Sequence, residues 1–341
     1  MLFSYDDVYE IRLATIDDID AIMQFIENNW KSGHILATNR SFFEYEFMED
    51  NGVVNFILAI DKEKGTIESL CGILKANHSN QKLDIWGSVW KTLDNNVAFV
   101  GMELVERCQK MLGARSFSGV GERPSTAIPI MKSFKRYTGK MKHYYMLSKN
   151  KTDFKIAVVE QKSRVNSIKT EKDKIIEFIN IDDLKNNFEF EKYSECIPYK
   201  DEWYVNHRFF QHPIYKYQVY GIRNENSVVD AVYVMREERI EERIAVRIVD
   251  YMGNQQLFEN MGSFCEDLLN KEGYEYADFY CDGFDEEQIK KAGFKLLDNN
   301  DPNIIPNYFH PMVKENIDIW VSSTFDKALF TKADSDQDRP N

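Results

Sequence analysis

Residues 82–147 read as strand, loop, helix, strand, helix, strand, and this order limits the possible folds more than any other feature of the chain. Lys82–Thr92 (KLDIWGSVWKT) alternates and is rich in Trp, Val and Ile, the pattern of a strand. Leu93–Asn96 breaks that pattern. Val97–Leu112 then repeats apolar residues at helical spacing (Val97, Val100, Leu104, Cys108, Met111), with Gly101 in the first turn. A strand that turns tightly into a helix gathers unpaired backbone N–H groups and the positive helix end at one point, which suits a pyrophosphate. Arg115–Gly121 reads as a short strand, Ser125–Tyr137 as a helix and Gly139–Leu147 as another strand.

The run Asn96–Gly101 (NVAFVG), with Leu104 just beyond it, resembles the pyrophosphate loop of the GCN5-related N-acetyltransferase (GNAT) superfamily, roughly Arg/Gln-x-x-Gly-x-Gly/Ala and then Leu. Gly101 and Leu104 fit that pattern; Asn96 and Phe99 depart from it. The N-terminal opening is also similar: a strand at Glu10–Ala14, Thr15 as N-cap before Asp17 and Asp18, and an amphipathic helix to Trp30. Phe56–Ile60 and Ser69–Ala76 supply two more strands. The resemblance implies acetyl-CoA or another acyl-CoA as cosubstrate. It places the pyrophosphate on backbone N–H groups of Val97, Ala98, Phe99, Val100, Gly101 and Met102. The pantetheine arm would lie along the strand end that carries Trp90 and Thr92, where such folds let two strands splay apart.

The second half repeats this plan at domain scale, without a short sequence repeat. Lys174–Ile181, Ser227–Arg236, Arg243–Tyr251 and Tyr274–Tyr280 read as strands, the middle two as a hairpin across EERIEE. Leu257–Asn270 and Glu286–Ala292 read as helices. The expected architecture is α/β (α+β), with two GNAT-like domains in tandem, each a mixed and mostly antiparallel sheet flanked by helices. The expected divisions are 1–148 for the acyl-CoA domain, 149–173 for a basic linker and 174–341 for a domain that contributes to the acceptor. Four segments also resemble N-acyltransferases of bacterial polysaccharide and O-antigen biosynthesis: IWGSVWK, GKMKHYYML, IPNYFHP and the ending KADSDQDRPN.

Apolar residues make up 43% of the 341 and aromatic residues 13%, enough for two cores. No run of about 18 apolar residues is present, so no membrane span is expected, and MLFSYDDVYE is unlike a secretory leader. The five cysteines are widely spaced with no C-x-x-C, which fits reduced thiols in the cytoplasm and no metal site. A net charge of −13 argues against nucleic acid as a partner. Oligomeric state is left open.

His34, after the first helix, is a candidate base or acceptor ligand, against a polar loop histidine. Trp86 and Trp90 lie four apart, hence on one strand face, and would stack on a sugar or base or else pack the core. Glu122 follows a strand end and is a candidate base. Met131 falls near where the resemblance implies a Tyr acid, with Tyr137, Tyr144 or Tyr145 as substitutes. Asp250 ends the strand RIAVRIVDY, as a base or as a turn cap. Arg208, His212 and Tyr217 cluster in HRFFQHPIYKY, where Arg suits a diphosphate, and Asn307 and Tyr308 lie in the rigid PNYFHP. Either set would bind an acceptor or seal the surface. The ending DSDQDRPN is a frayed acidic tail or, as its resemblance to a family ending implies, a terminus docked near the site.

The resemblance implies transfer of an acyl group, acetyl above all, from acyl-CoA to the amine of a nucleotide-linked amino sugar, in a cleft between the halves. The alternatives are an aminoacyl-tRNA-dependent transferase of the same tandem type and a non-catalytic nucleotide-sugar-binding protein.

Overall fold

A computed structural model describes residues 4–94, 97–162 and 174–340. Its two compact units are Met1–Val120 with Arg339–Asn341, and Gly121–Asp338.

The first unit contains β1 (Tyr9–Thr15), α1 (Ile19–Asn29), α2 (Ile35–Thr38), α3 (Arg40–Phe47), β2 (Val53–Asp61), β3 (Ile67–Lys75), β4 (Asp84–Thr92), α4 (Val100–Leu112) and β5 (Ser116–Val120). The strands lie in sequence order; every pairing is antiparallel except β4 with β5. The entry to α1 is fixed as expected: the Asp18 carboxylate accepts from the Thr15 N–H and hydroxyl. Apolar residues alternate along the strands and so build a core on each face. On one face Ile22, Phe25, Phe42, Phe43 and Phe47 pack with Phe56 and Val89. On the other, Val100, Leu104 and Cys108 of α4 pack with Cys71, Ile85 and Phe117.

One irregularity in β4 shapes everything downstream. Cys71 faces Trp90 and Ile73 faces Gly87, so β4 carries one extra residue at Ser88–Val89. That bulge reverses the alternation. Trp90 packs with the α4-side cluster, whereas Trp86 faces Leu74, which packs on the opposite cluster. The expectation that the two tryptophans share a face is therefore corrected: four residues apart means one face only in an unbulged strand. Pairing of β4 with β5 runs from Asp84–Ser116 to Gly87–Gly119 and stops there, while β4 continues to Thr92. The two strands thus part at the bulge.

The second unit contains α5 (Ala127–Ser133), β6 (Tyr137–Lys140), β7 (Lys142–Leu147), β8 (Ile175–Phe178), α6 (Ile181–Lys185), α7 (Glu202–Val205), β9 (Gln218–Arg223), β10 (Val229–Ile240), β11 (Arg243–Gly253), α8 (Met261–Leu269), β12 (Tyr274–Asp282), α9 (Glu286–Lys291), β13 (Lys295–Leu296), β14 (Tyr308–Phe309), β15 (Met312–Val313), β16 (Trp320–Ser323) and β17 (Phe330–Thr331). Its main sheet runs β13-β7-β12-β11-β10-β9-β8, with β17 also on β12. The one strand expected over 139–147 divides at Met141: β6 pairs with β16, and β7 pairs with β12. The helix expected over 125–137 is limited to α5, followed by Lys135 in a left-handed turn at φ 56°. The EERIEE run is mostly strand, because β10 and β11 pair up to Ile240–Arg243 and leave only Glu241–Glu242 to turn. The 149–173 stretch is not uniformly solvated. Ile156 and Ala157 are buried, and the Glu275 carboxylate accepts from the N–H groups of Lys155 and Ile156. Residues 163–173 lie outside the described residues.

Among the described residues no helix is long and apolar enough to cross a membrane.

Candidate functional site

In the first unit β4 ends at Thr92 and α4 begins at Val100, with Val97–Phe99 leading into the helix. Asn96 lies outside the described residues; Val97 onward is described. Gly101 sits directly on the end of β4. A Cβ there would lie 2.6 Å from the Thr92 hydroxyl and 3.0 Å from Trp90 Nε1, so only glycine lets the first helical turn approach this closely. Phe99 adopts φ 64°, a conformation that usually selects glycine, and its ring is 64% exposed rather than folded over the turn. Two tyrosines pin the turn: Tyr9 Oη accepts from Val97 N–H at 3.1 Å, and Tyr5 Oη donates to the Ala98 carbonyl at 2.8 Å. Val100, Met102 and Glu103 N–H groups bond back into the turn. Among the described residues the N–H groups of Ala98, Phe99 and Gly101 have no acceptor. The positive end of the 13-residue α4 lies at this turn. Trp90 Nε1 is buried beside it without an acceptor.

A second cluster lies at the bulge. Arg339 donates from Nε to Glu46 at 2.7 Å and from Nη2 to the Ser88 hydroxyl at 2.8 Å, with its guanidinium 5.7 Å from the Phe47 ring centre. His34 is buried and caps α2, its Nδ1 accepting from Leu36 N–H at 3.2 Å. That tautomer leaves a proton on Nε2, so the ring offers a donor there and not a base. Burial, then Arg339 and Lys31, push its pKa down to about 4. This geometry argues against His34 as the proton acceptor.

In the second unit Glu122 stands two residues past the end of β5. Its Oε1 accepts from the Ser322 hydroxyl at 2.9 Å, while Oε2 is buried with no partner. Burial raises its pKa to about 7 against the opposing pull of Ser322 and Arg136, so it exchanges a proton near neutrality.

Asp250 is fully buried, with Oδ1 engaged and Oδ2 without a hydrogen-bond partner. Its Oδ1 accepts from Lys200 at 2.5 Å, the Thr331 hydroxyl at 2.8 Å and its neighbour Tyr251 N–H at 2.8 Å. Lys200 also bridges to Asp334 at 2.6 Å. A carboxylate so committed supports the fold, and a base role has little room here.

Arg208 and Tyr217 hold the terminal segment. Arg208 donates to the Asp338 carbonyl at 3.0 Å, Tyr217 donates to its carboxylate at 2.8 Å, and Arg236 clamps that carboxylate from Nη2 at 2.7 Å. His212 Nδ1 accepts the N–H groups of Ile214 and Tyr215, and burial lowers its pKa to about 3. Asn307 accepts from Arg247 through its carbonyl at 2.6 Å; Tyr308 begins a hairpin strand and is 40% exposed. Met131 is buried, Tyr137 donates to Asp282 and Tyr145 to Asp301, so neither tyrosine hydroxyl has a proton free for a leaving group.

Sequence reading singled out neither Arg339, Ser88, Arg236 nor Asp338. Ser88 lies within IWGSVWK, and Asp338 and Arg339 within KADSDQDRPN, segments marked only by resemblance and not by any role for these side chains.

Both depressed histidines predict acid sensitivity. Their folded pKa values, about 4 and about 3, lie below the ordinary 6.5, so the unfolded chain binds more protons below that pH. Stability should therefore fall as pH drops from about 6.5 through about 4. The double variant His34→Asn/His212→Asn keeps an acceptor at each turn and should lose distinctly less stability between pH 7 and pH 4.5 in urea titrations. An unchanged loss would reject the assignment.

No family model matches the sequence, and no curated protein matches it either. Solved structures do match. A conserved protein of unknown function from Enterococcus faecalis V583, described as a probable N-acyltransferase, aligns at TM-score 0.55 and 7% identity over 94% of this chain and 73% of its own. A GCN5-related N-acetyltransferase from Anabaena variabilis ATCC 29413 aligns at TM-score 0.53 and 8% identity over 92% and 72%. At such identities the likeness shows the fold alone: the chain shares the mixed α/β, GNAT-type fold of these structures.

Proposed function

We propose that the protein is an acyl-CoA-dependent N-acyltransferase that binds its acyl-CoA on the first unit. The observation that carries this reading is the turn into α4, with Gly101 packed on Trp90 and Thr92 and the N–H donors of the first helical turn gathered at that positive helix end. A pyrophosphate fits that combination of donors and helix field, and the strand edge past the bulge suits an extended amide-bearing arm. In the transfer, an amine attacks the thioester carbonyl, the new C–N bond forms as the C–S bond breaks, and the thiolate takes up a proton. Glu122 is the best-suited group to accept the ammonium proton, having a pKa of about 7 and one free carboxylate oxygen.

For the acceptor we propose the amine of a nucleotide-linked amino sugar, in bacterial surface polysaccharide synthesis. Its support is the resemblance of IWGSVWK, GKMKHYYML, IPNYFHP and KADSDQDRPN. A cytoplasmic setting accords with this reading.

Calorimetry with acetyl-CoA tests the first part. Ala98 is exposed in the turn, so Ala98→Asp adds a carboxylate that the helix N-terminus favours and a pyrophosphate does not. The variant should melt at or above the wild-type temperature and bind acetyl-CoA at least about fivefold more weakly. Equal affinity would place the cofactor elsewhere. Product mass spectra with nucleotide-linked amino sugars as acceptors test the second part.

A further inference from the structure

In the second unit β11 and β12 stop pairing at Ile248–Phe279, and a later piece of chain lies where they part. Thr331 and Phe330 pair with Cys281 and Asp282 of β12, and Ala333 N–H donates to the Val249 carbonyl of β11 at 2.8 Å. This insert beside β11 is a core element: Phe330, Thr331, Lys332, Ala333 and Asp334 are each at most 2% exposed.

The insert brings a second carboxylate to Asp250. Lys200 Nζ lies 2.5 Å from Asp250 Oδ1 and 2.6 Å from Asp334 Oδ1, and both carboxylates are fully buried. One ammonium faces two carboxylates, so the fully ionised cluster keeps a buried excess of one negative charge, which is costly away from water. Thr331 Oγ1 lies between the carboxylates, 2.8 Å from Asp250 Oδ1 and 3.3 Å from Asp334 Oδ1, and receives Lys200 at 3.2 Å. A hydroxyl has one proton to give, so it can donate to only one of the two. The other oxygen meets it lone pair to lone pair unless it carries a proton itself. Asp250 Oδ2 is buried and, among the described residues, has no hydrogen-bond partner, so the cluster is short of protons rather than of acceptors. A cavity of about 30 Å³ has Lys200 and Thr331 in its wall. A water molecule needs roughly 10–15 Å³, so water reaches the cluster there.

We propose that Lys200, Asp250, Thr331 and Asp334 form a proton-binding site that takes one proton onto Asp334 Oδ1 in mild acid, and that this proton tightens the hold of the insert on β11. The new O–H donates to Thr331 Oγ1, Thr331 donates to Asp250 Oδ1, and Lys200 stays charged between them. The proton comes from water and no other bond changes. Burial, opposed by Lys200 and reinforced by Asp250, accordingly lifts the Asp334 carboxyl from 3.8 to about 6. Tyr204 of α7, with its ring centre 5.6 Å from Lys200 Nζ, is kept neutral by burial, and Arg208 donates to the Ala333 carbonyl at 3.5 Å. In a released insert Asp334 would return to the ordinary carboxylate range near ~3.9. The docked state therefore holds the extra proton between about 4 and about 6, and that gain is lost as pH rises through about 6. Two groups on the same segment act in the opposite direction. Burial, then Arg247, hold Lys332 down to about 7, and Arg236 keeps the Asp338 carboxyl low against the effect of burial. Both are retained in Asp334→Asn, so comparison with that variant cancels them.

Carbon-13 NMR of the full chain, labelled at aspartate carboxyls and titrated from pH 8 to pH 4.5, tests the site. The expected result is one carboxyl with a midpoint near 6 that disappears in Asp334→Asn. A wild type whose aspartates all stay ionised down to about pH 5, or a midpoint that survives in the variant, would overturn the proposal. Lys200→Gln gives a second reading if Asp334→Asn does not fold: loss of the opposing ammonium should move the midpoint upward, and a midpoint unmoved or lowered rejects the assignment. A midpoint that falls when potassium replaces choline at fixed ionic strength would mean that a metal cation neutralises the cluster, which also overturns it. Amide exchange reads the hold on the insert. Protection of Ala333 N–H, corrected for the intrinsic rate and taken relative to Asp334→Asn, should rise roughly fivefold or more between pH 7 and pH 5. A ratio that stays flat or falls would reject the coupling.

Discussion

Glu122→Gln is expected to lower kcat by ~10²–10⁴ while leaving acyl-CoA affinity intact, because the amide keeps the shape of the side chain and loses its basicity. The working form is the carboxylate. With a pKa of about 7, the wild-type rate should rise with pH through neutrality and level off above it. The variant should show no such limb. A single-turnover assay from pH 5.5 to 8.5 reads both features. If the variant keeps the wild-type kcat and the same limb, the proton leaves by another route or the amine enters neutral. Asp250→Asn serves as the contrast. Its carboxylate is committed to Lys200, Thr331 and Tyr251 N–H, so that change should reduce stability rather than erase the limb.

Asp338→Ala should destabilise the protein by about 3–5 kcal/mol, the usual cost of removing one partner from a buried ion pair. The Asp338 side chain is fully buried and receives Arg236 and Tyr217, so its loss leaves the buried Arg236 guanidinium with Glu238 as its remaining carboxylate and strands a buried hydroxyl. Urea titration measures this directly. A change under about 1 kcal/mol would mean that the terminal segment is a surface appendage. The acid dependence follows with its sign: Arg236 holds the Asp338 carboxyl well below the usual carboxylate range, so this stabilisation is present above ordinary carboxylate pKa values and fades only in strong acid.

Periodicity made most of the first unit legible, since its strands alternate and α4 keeps an apolar stripe from Val100 through Cys108, with Met111 of the expected stripe exposed and Gly101 packed on the end of β4. Two things escaped, for physical reasons. A bulge leaves no compositional mark: Ser88 and Val89 are ordinary strand residues, yet the extra residue turns Trp90 away from Trp86's face. Long-range polar pairing is likewise silent, because a chain does not announce that Asp338 will meet Arg236 or that Arg339 will meet Glu46. Candidates chosen for residue type alone met that limit. Asp250, Arg208 and Tyr217 have suitable chemistry, but each is engaged with the same terminal segment or its neighbours. Glu122 differs from them in having no cationic hydrogen-bond partner on its carboxylate, only the Ser322 hydroxyl, a property visible only once burial and partners are known.

The placement of Arg339 has a consequence for biogenesis. Its partner Ser88 precedes it by 251 residues, and the insert beside β11 likewise follows every strand it packs on. A ribosome adding roughly 5–20 residues per second would present β11 and β12 with open, parted edges many seconds before Phe330–Ala333 emerge. Contacts of such sequence separation also slow folding after release. The nascent chain therefore passes through a stage with unsatisfied strand edges, when chaperone capture and strand-to-strand association are at their greatest. Truncations that stop before residue 329 hold the protein at that stage.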